Sequence, residues 1–173
     1  MKKITIISII LLACFFSNIL LAQVNYNVEI PSTKGSVLQT VKLGDRNSYA
    51  RLTTPPNLGN IGQTGEPVLP VKHFKILIPP NAVATDVNCK VSGKQLISLP
   101  NKVEPGQHPI PTSLDYKKKE FVPPNPEIYN SRQPYPGKKA EIISQGSFRG
   151  NRIVTVALYP YQYLPKAKQI MPK

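Results

Sequence analysis

The chain has 173 residues, 22 of them lysine or arginine against 9 acidic ones, with 19 prolines, two cysteines and no tryptophan. So many prolines exclude an architecture of long helices, because each removes a backbone donor and clashes with the preceding helical turn. A formal net charge of +13 would suggest nucleic acid in a cytosolic protein, but the basic residues are scattered and the only tight run is Lys117-Lys118-Lys119.

The first 22 residues read as a secretory signal peptide. Lys2 and Lys3 precede a nearly uninterrupted apolar run over 4–21, helical in this reading, and Ala22-Gln23 forms a small-then-polar cleavage junction. This predicts export to the periplasm, the cell surface or the exterior. It also predicts no nucleic-acid partner and no stable membrane insertion. Two other readings stand beside it. The run approaches bilayer-spanning length, and Leu11-Leu12-Ala13-Cys14 has the form of a lipobox, although the apolar run continues past Cys14. Once 1–22 is removed, Cys89 is alone and no intramolecular disulfide can form. The remaining 23–173 is long enough for one domain with an ordinary core.

The mature part reads as short strands. Residues 26–30 alternate polar and apolar, and 36–43 do so more loosely. Residues 74–78 form a strand stopped by Pro79-Pro80. Over 83–91, Val83, Thr85, Val87, Cys89 and Val91 share one face, which predicts a half-buried antiparallel strand with Cys89 as an inert core thiol. A turn at Ser92-Gly93 leads to a candidate strand over 95–99. Residues 140–145 and 152–159 flank a loop of turn formers and read as a hairpin. Its second arm is apolar on both faces and is expected at the centre of a sheet. The stretch 100–136 is proline-dense, carries the lysine run, and reads as a long ordered surface excursion with one short strand near Phe121. Residues 161–165 read as a turn. Residues 166–173 then begin an apolar and basic segment that lacks the partner strand expected there, so the domain reads as incomplete at its C-terminal end. The fold class is all-β, an antiparallel sandwich-like domain with a long proline-rich surface loop.

Catalytic constellations are missing from the sequence. His73 and His108 have no paired acid nearby, and no metal-ligand spacing, phosphate loop or nucleophile elbow is present. A dyad of Cys89 with a histidine is the one enzymatic alternative. The chain is therefore read as a non-enzyme without metal or cofactor.

The most informative segment is Leu99-Pro100-Asn101-Lys102-Val103-Glu104-Pro105-Gly106-Gln107-His108-Pro109-Ile110-Pro111. Prolines on both sides of Lys102 fix their own φ and push the preceding residues toward extended backbone. A stiff, extended peptide displaying a cation suits a pocket specific for basic residues. Plain solvation of an exposed lysine is the alternative.

Three segments together resemble one family. Gly65-Glu66-Pro67-Val68-Leu69-Pro70 leads into a strand. Pro105-Gly106-Gln107-His108-Pro109 follows a basic residue. Arg149-Gly150, an apolar strand and Pro160-Tyr161-Gln162-Tyr163-Leu164-Pro165-Lys166 close the run. Their order and spacing, over about 24–170, resemble the gingipain propeptide domain, the N-terminal prodomain of secreted gingipain-type cysteine endopeptidases. The resemblance implies a sandwich-like prodomain that assists folding of the protease and keeps it latent. It implies the protease catalytic domain as partner, in cis or in trans. It also implies that a basic loop residue enters the specificity pocket, and the matching position is Lys102, supported by Pro100, Pro105, Gln107 and Pro109. Gly65, Pro67, Leu69, Pro70, Arg149, Gly150, Gln162, Tyr163 and Pro165 are then structural motif positions. The competing function is a non-enzymatic secreted sandwich module that binds a glycan or a host protein, for which the tyrosines at 159, 161 and 163 are the best support.

Overall fold

The computed structural model describes residues 38–53, 58–90, 96–111 and 119–172. The signal peptide expected over 1–22, Cys14, the strand expected at 26–30, the turn expected at Ser92-Gly93, and Lys117 and Lys118 lie outside the described residues. Nine strands are described: β1 (Leu38–Lys42), β2 (Ser48–Leu52), β3 (Gly59–Ile61), β4 (Leu69–Ile78), β5 (Ile97–Ser98), β6 (Ala140–Phe148), β7 (Asn151–Leu158), β8 (Tyr161–Leu164) and β9 (Gln169–Pro172). They pair antiparallel in three sheets with orders β1-β2, β3-β4-β7-β6 and β5-β9-β8. The all-β, antiparallel class expected from the sequence is the observed one.

Local chemistry explains several elements. The β1–β2 turn is held by Asp45, whose carboxylate accepts from the Asn47 backbone (3.1 Å), the Asn47 amide (2.8 Å) and the Tyr49 hydroxyl (2.6 Å). The β6–β7 turn is the pair Arg149-Gly150, with φ of 50° and 78°. Positive φ at both central residues gives a tight hairpin whose twist matches the strands. The β-branched run in β7 packs on both faces and lies between β4 and β6, as its composition requires. Pro70 is tolerated within β4 because the ladder to β7 begins only at Lys72, paired with Leu158.

The main core gathers Ala50, Leu52, Leu69, Leu99, Val103, Tyr129, Tyr161, Tyr163 and Ile170. A smaller cluster of Val71, Ala157 and Tyr159 underlies the four-stranded sheet. Every one of these residues is almost free of solvent contact, so the sheets are joined by packing of aliphatic and tyrosine side chains.

Several local expectations are corrected. Residues 82–90 form no strand. The backbone N–H and C=O of Ala84 are instead satisfied by the Gln145 side-chain amide, at 2.9 and 2.7 Å, and Cys89 is only half-buried, so it is not a core thiol. No strand forms near Phe121. The stretch 100–136 is not all surface, because Val103 and Tyr129 lie in the core and a short helix, α1 (Pro126–Tyr129), interrupts it. That helix has Asn125 as its N-cap, accepting from Glu127 N, and Pro126 in its first turn. The turn expected at 161–165 is strand β8, and Gln169–Pro172 pairs with it as β9.

Candidate functional site

The segment around Lys102 is stitched into the fold by hydrogen bonds on both sides. Against β2, Ala50 N donates to Lys102 O (2.8 Å) and Glu104 N donates to Ala50 O (3.0 Å). Against 63–68, Val68 N donates to Glu104 O (3.0 Å), Gly106 N to Glu66 O (2.7 Å) and Gly65 N to Gly106 O (2.8 Å). Residues 102–106 therefore run between two backbones, β2 on one side and 63–68 on the other. Stiffness comes from these bonds as well as from the prolines. Pro105 is fully buried and pairs with Pro67, while Pro100 and Pro109 are exposed at either end.

Lys102 is the exposed end of this run, and residues 103–106 are all buried. Val103 is 0% exposed, whereas Lys102 is exposed. The Lys102 ammonium stands 6.0 Å from the centroid of the Tyr129 ring, a weak cation–π contact of about 0.5–1 kcal/mol at an exposed site. The Tyr129 hydroxyl donates to Val103 O (2.9 Å), and Val103 N donates to the Tyr163 hydroxyl oxygen (3.4 Å). Burial, reinforced by each other's proximity, pushes the Tyr129 hydroxyl well above its ordinary pKa, and burial raises Tyr163 as well. Both phenols thus stay neutral and act as hydrogen-bonding props for Val103.

Glu104, next along, is 8% exposed and takes a two-bond fork from Arg51, Nε to Oε1 at 2.7 Å and Nη2 to Oε2 at 2.6 Å. The fork raises the Arg51 pKa further. Gln107 is exposed, yet its side chain works as a backbone surrogate. It donates to Val122 O (2.9 Å) and accepts from Val122 N (2.9 Å), and it also reaches Pro105 O and Gly106 O, each at 3.2 Å.

The other motif residues divide into two groups. Gly65 has φ of 84° and its carbonyl accepts from Asn125 N (2.8 Å), and Pro67, Leu69 and Pro70 are buried beside it. Tyr163 is fully buried and exchanges backbone bonds with Tyr135 (2.7 and 2.8 Å), while Pro165 is buried at the β8–β9 turn. Gln162, 4% exposed, donates to Pro136 O (3.0 Å) and Lys138 O (3.4 Å). These residues support the Lys102 segment or its neighbours. Arg149 and Gly150 do not join them and form the exposed β6–β7 turn instead. Sequence reasoning missed Arg51, Glu104 and Tyr129. The only available signal was an acid two residues after the lysine, since both partners lie far away in sequence.

Among the described residues no group of three or more His, Cys, Asp or Glu side chains could hold a metal ion. No described helix is long and apolar enough to cross a membrane. Nothing among curated proteins matches the sequence. Solved structures do match. One, from a study of the zymogenic latency of gingipain K from Porphyromonas gingivalis, is 26% identical, with a TM-score of 0.62 over 78% of this chain and 74% of that one. Another, the complex of the Porphyromonas gingivalis RgpB pro- and mature domains, is 19% identical, with a TM-score of 0.61 over 80% of this chain and 70% of that one, and it shares the fold. The Propeptide_C25 family model matches residues 22–172. This chain therefore belongs to the propeptide family of the C25, gingipain-type cysteine peptidases.

Proposed function

We propose that this chain is exported, that it acts as the latency-conferring and fold-assisting propeptide of a gingipain-type cysteine protease, and that Lys102 enters the protease's basic-specific pocket. The observation that carries the reading is an exposed lysine on a backbone fixed from both sides, in a member of this propeptide family. A charge-assisted bond from the ammonium to an acid in the pocket contributes about 1.5–3 kcal/mol. Because 102–106 is already ordered, little conformational entropy is lost on docking. The partner is the protease catalytic domain, in cis or in trans, and the solved complex of a propeptide with its mature domain supports that choice.

The test is inhibition of Lys- and Arg-specific gingipain-type catalytic domains by the purified chain lacking 1–22. Nanomolar to micromolar inhibition of one of them is expected, with Lys102→Ala at least tenfold weaker. Replacing Lys117, Lys118 and Lys119 together by alanine should leave inhibition unchanged. Equal inhibition by Lys102→Ala would remove the pocket-insertion part, and loss of inhibition in the triple variant alone would move the presented cation to that run.

A further inference from the structure

The peptide bond after a lysine held in a Lys-specific pocket is the bond that a protease cuts. The geometry points to a device that withholds it: Tyr129, Tyr163 and the Ala50 backbone lock the Lys102–Val103 bond, so that Lys102 is bait that is not consumed. This rests on the pocket-insertion reading above.

Hydrolysis has defined requirements. A cysteine thiolate attacks the Lys102 carbonyl carbon, and the carbonyl oxygen moves toward the donors of an oxyanion site. Val103 N then takes a proton and departs as the amine, leaving the Lys102 acyl group on sulfur. Water finally releases the Lys102 carboxylate and the free thiol. Each atom in that path is engaged elsewhere in this fold. The Lys102 oxygen accepts from Ala50 N at 2.8 Å. Val103 N points at the Tyr163 hydroxyl oxygen at 3.4 Å. Val103 O is held by the Tyr129 hydroxyl at 2.9 Å. Val103 itself is 0% exposed, and Glu104 is tied to Ala50 O at 3.0 Å and to Arg51. Attack would require the oxygen to leave Ala50. Completion would require a buried residue, anchored on both its polar atoms, to withdraw from the core. If the acyl group did form, the amine would remain beside it and re-form the bond. Tyr129 serves twice, because its ring also lies under the Lys102 ammonium. Tyr129 and Tyr163 are positioning residues, acting through Val103.

The experiment mixes the chain lacking 1–22 with a Lys-specific gingipain-type catalytic domain and follows residual activity and intact mass together. The parent should inhibit and stay whole at Lys102–Val103. A synthetic peptide of residues 96–111 should be cut there promptly. The Tyr129→Phe/Tyr163→Phe variant should inhibit at first with similar strength, then be cut at that bond at least tenfold faster than the parent, with activity returning as it is consumed. A parent cut as fast as the peptide, or a folded double variant as resistant as the parent, overturns the lock. Equal inhibition by Lys102→Ala would instead overturn the pocket reading, and the lock is then judged alone with an unrelated Lys-specific serine endoprotease and the same mass readout. If the double variant fails to fold, the parent is digested in graded urea. Cleavage at Lys102–Val103 should rise only with global unfolding, and a rate independent of urea overturns the proposal.

Discussion

Arg51 and Glu104 grip each other in a two-bond fork across 53 residues of sequence, tying β2 to the strip that carries Lys102. The Glu104 side chain is 10% exposed and the Arg51 side chain 46%. Removing the arginine leaves a largely buried carboxylate without its partner, while the half-exposed arginine limits the energy involved. Arg51→Ala should destabilise the fold by about 1–2 kcal/mol, read as a lower urea midpoint. Arg51→Lys should recover only part of that, since an ammonium cannot reproduce the fork.

Gly106 sits where no side chain fits. A Cβ there would lie 2.3 Å from Gln63 O and 2.9 Å from Gly62 O, both backbone atoms. Gly106→Ala should therefore force the strip off 63–68 and cost at least about 2 kcal/mol in urea unfolding. A midpoint equal to the parent's would show that the backbone yields freely.

Gln107 offers a more local test. Its amide closes a two-way bond with the Val122 backbone. Gln107→Ala should cost about 1 kcal/mol and speed hydrogen exchange at the Val122 amide, with Val103 and Glu104 amides unaffected.

Alkaline pH should unfold the chain for a reason that the core supplies. Burial, then the hydrogen bond to Asp45, pushes Tyr49 up to about 12. Burial also raises Tyr129, Tyr135, Tyr159 and Tyr163, with carboxylate bonds from Glu66 and Glu141 adding to it at Tyr135 and Tyr159. Above the unfolded tyrosine pKa of ~10 the unfolded chain loses protons that the folded chain keeps. Unfolding then releases protons, so stability falls with rising pH, by up to about 1.4 kcal/mol per pH unit for each such tyrosine. Thermal melts should hold level toward pH 9 and drop steeply above 10. Tyr129→Phe should make the drop shallower.

The β6–β7 turn allows a gain. Arg149 holds φ of 50° with a full side chain, and asparagine adopts that conformation more readily at this turn position. Arg149→Asn should raise stability by about 0.3–1 kcal/mol, visible as a higher melting temperature, with inhibition unchanged.

Legibility in the sequence followed the range of the interactions. The β6–β7 hairpin was readable because alternation and turn formers are local properties, although the loop expected over 146–151 is a two-residue turn and β6 runs on to Phe148. Gly65, Pro67, Leu69 and Pro70 were readable as a motif, and Lys102 as an exposed cation. The partners of the strip that carries Lys102 were not. Arg51 reaches Glu104, Tyr163 reaches Val103, and Tyr129 reaches both Val103 and Lys102 across tens of residues, and no periodicity encodes such a meeting. The alternation at 83–91 misled for a related reason. Extended backbone needs hydrogen-bond partners, and at Ala84 a glutamine side chain supplies both, so the pattern exists without a ladder. Residues 161–165 read as a turn, although Tyr161–Leu164 is strand β8 and Gln162 is buried against the carbonyls of Pro136 and Lys138.

The order β5-β9-β8 places the last described strand in the middle of its sheet. Ile170, on that strand, belongs to the same core as Val103, Tyr129 and Tyr163. A chain threaded outward from its N-terminus during synthesis delivers this strand after every other described one. Until it arrives, β5 and β8 have no common neighbour, and the tyrosine that meets Val103 N, 60 residues downstream, has no finished sheet beneath it. Segments whose partners are distant form late, after the entropy of closing long loops has been overcome. The proposed lock on the Lys102–Val103 bond is thus completed only once the last described strand has emerged, and a chain delivered short of that strand would present this bond on an unfinished sheet.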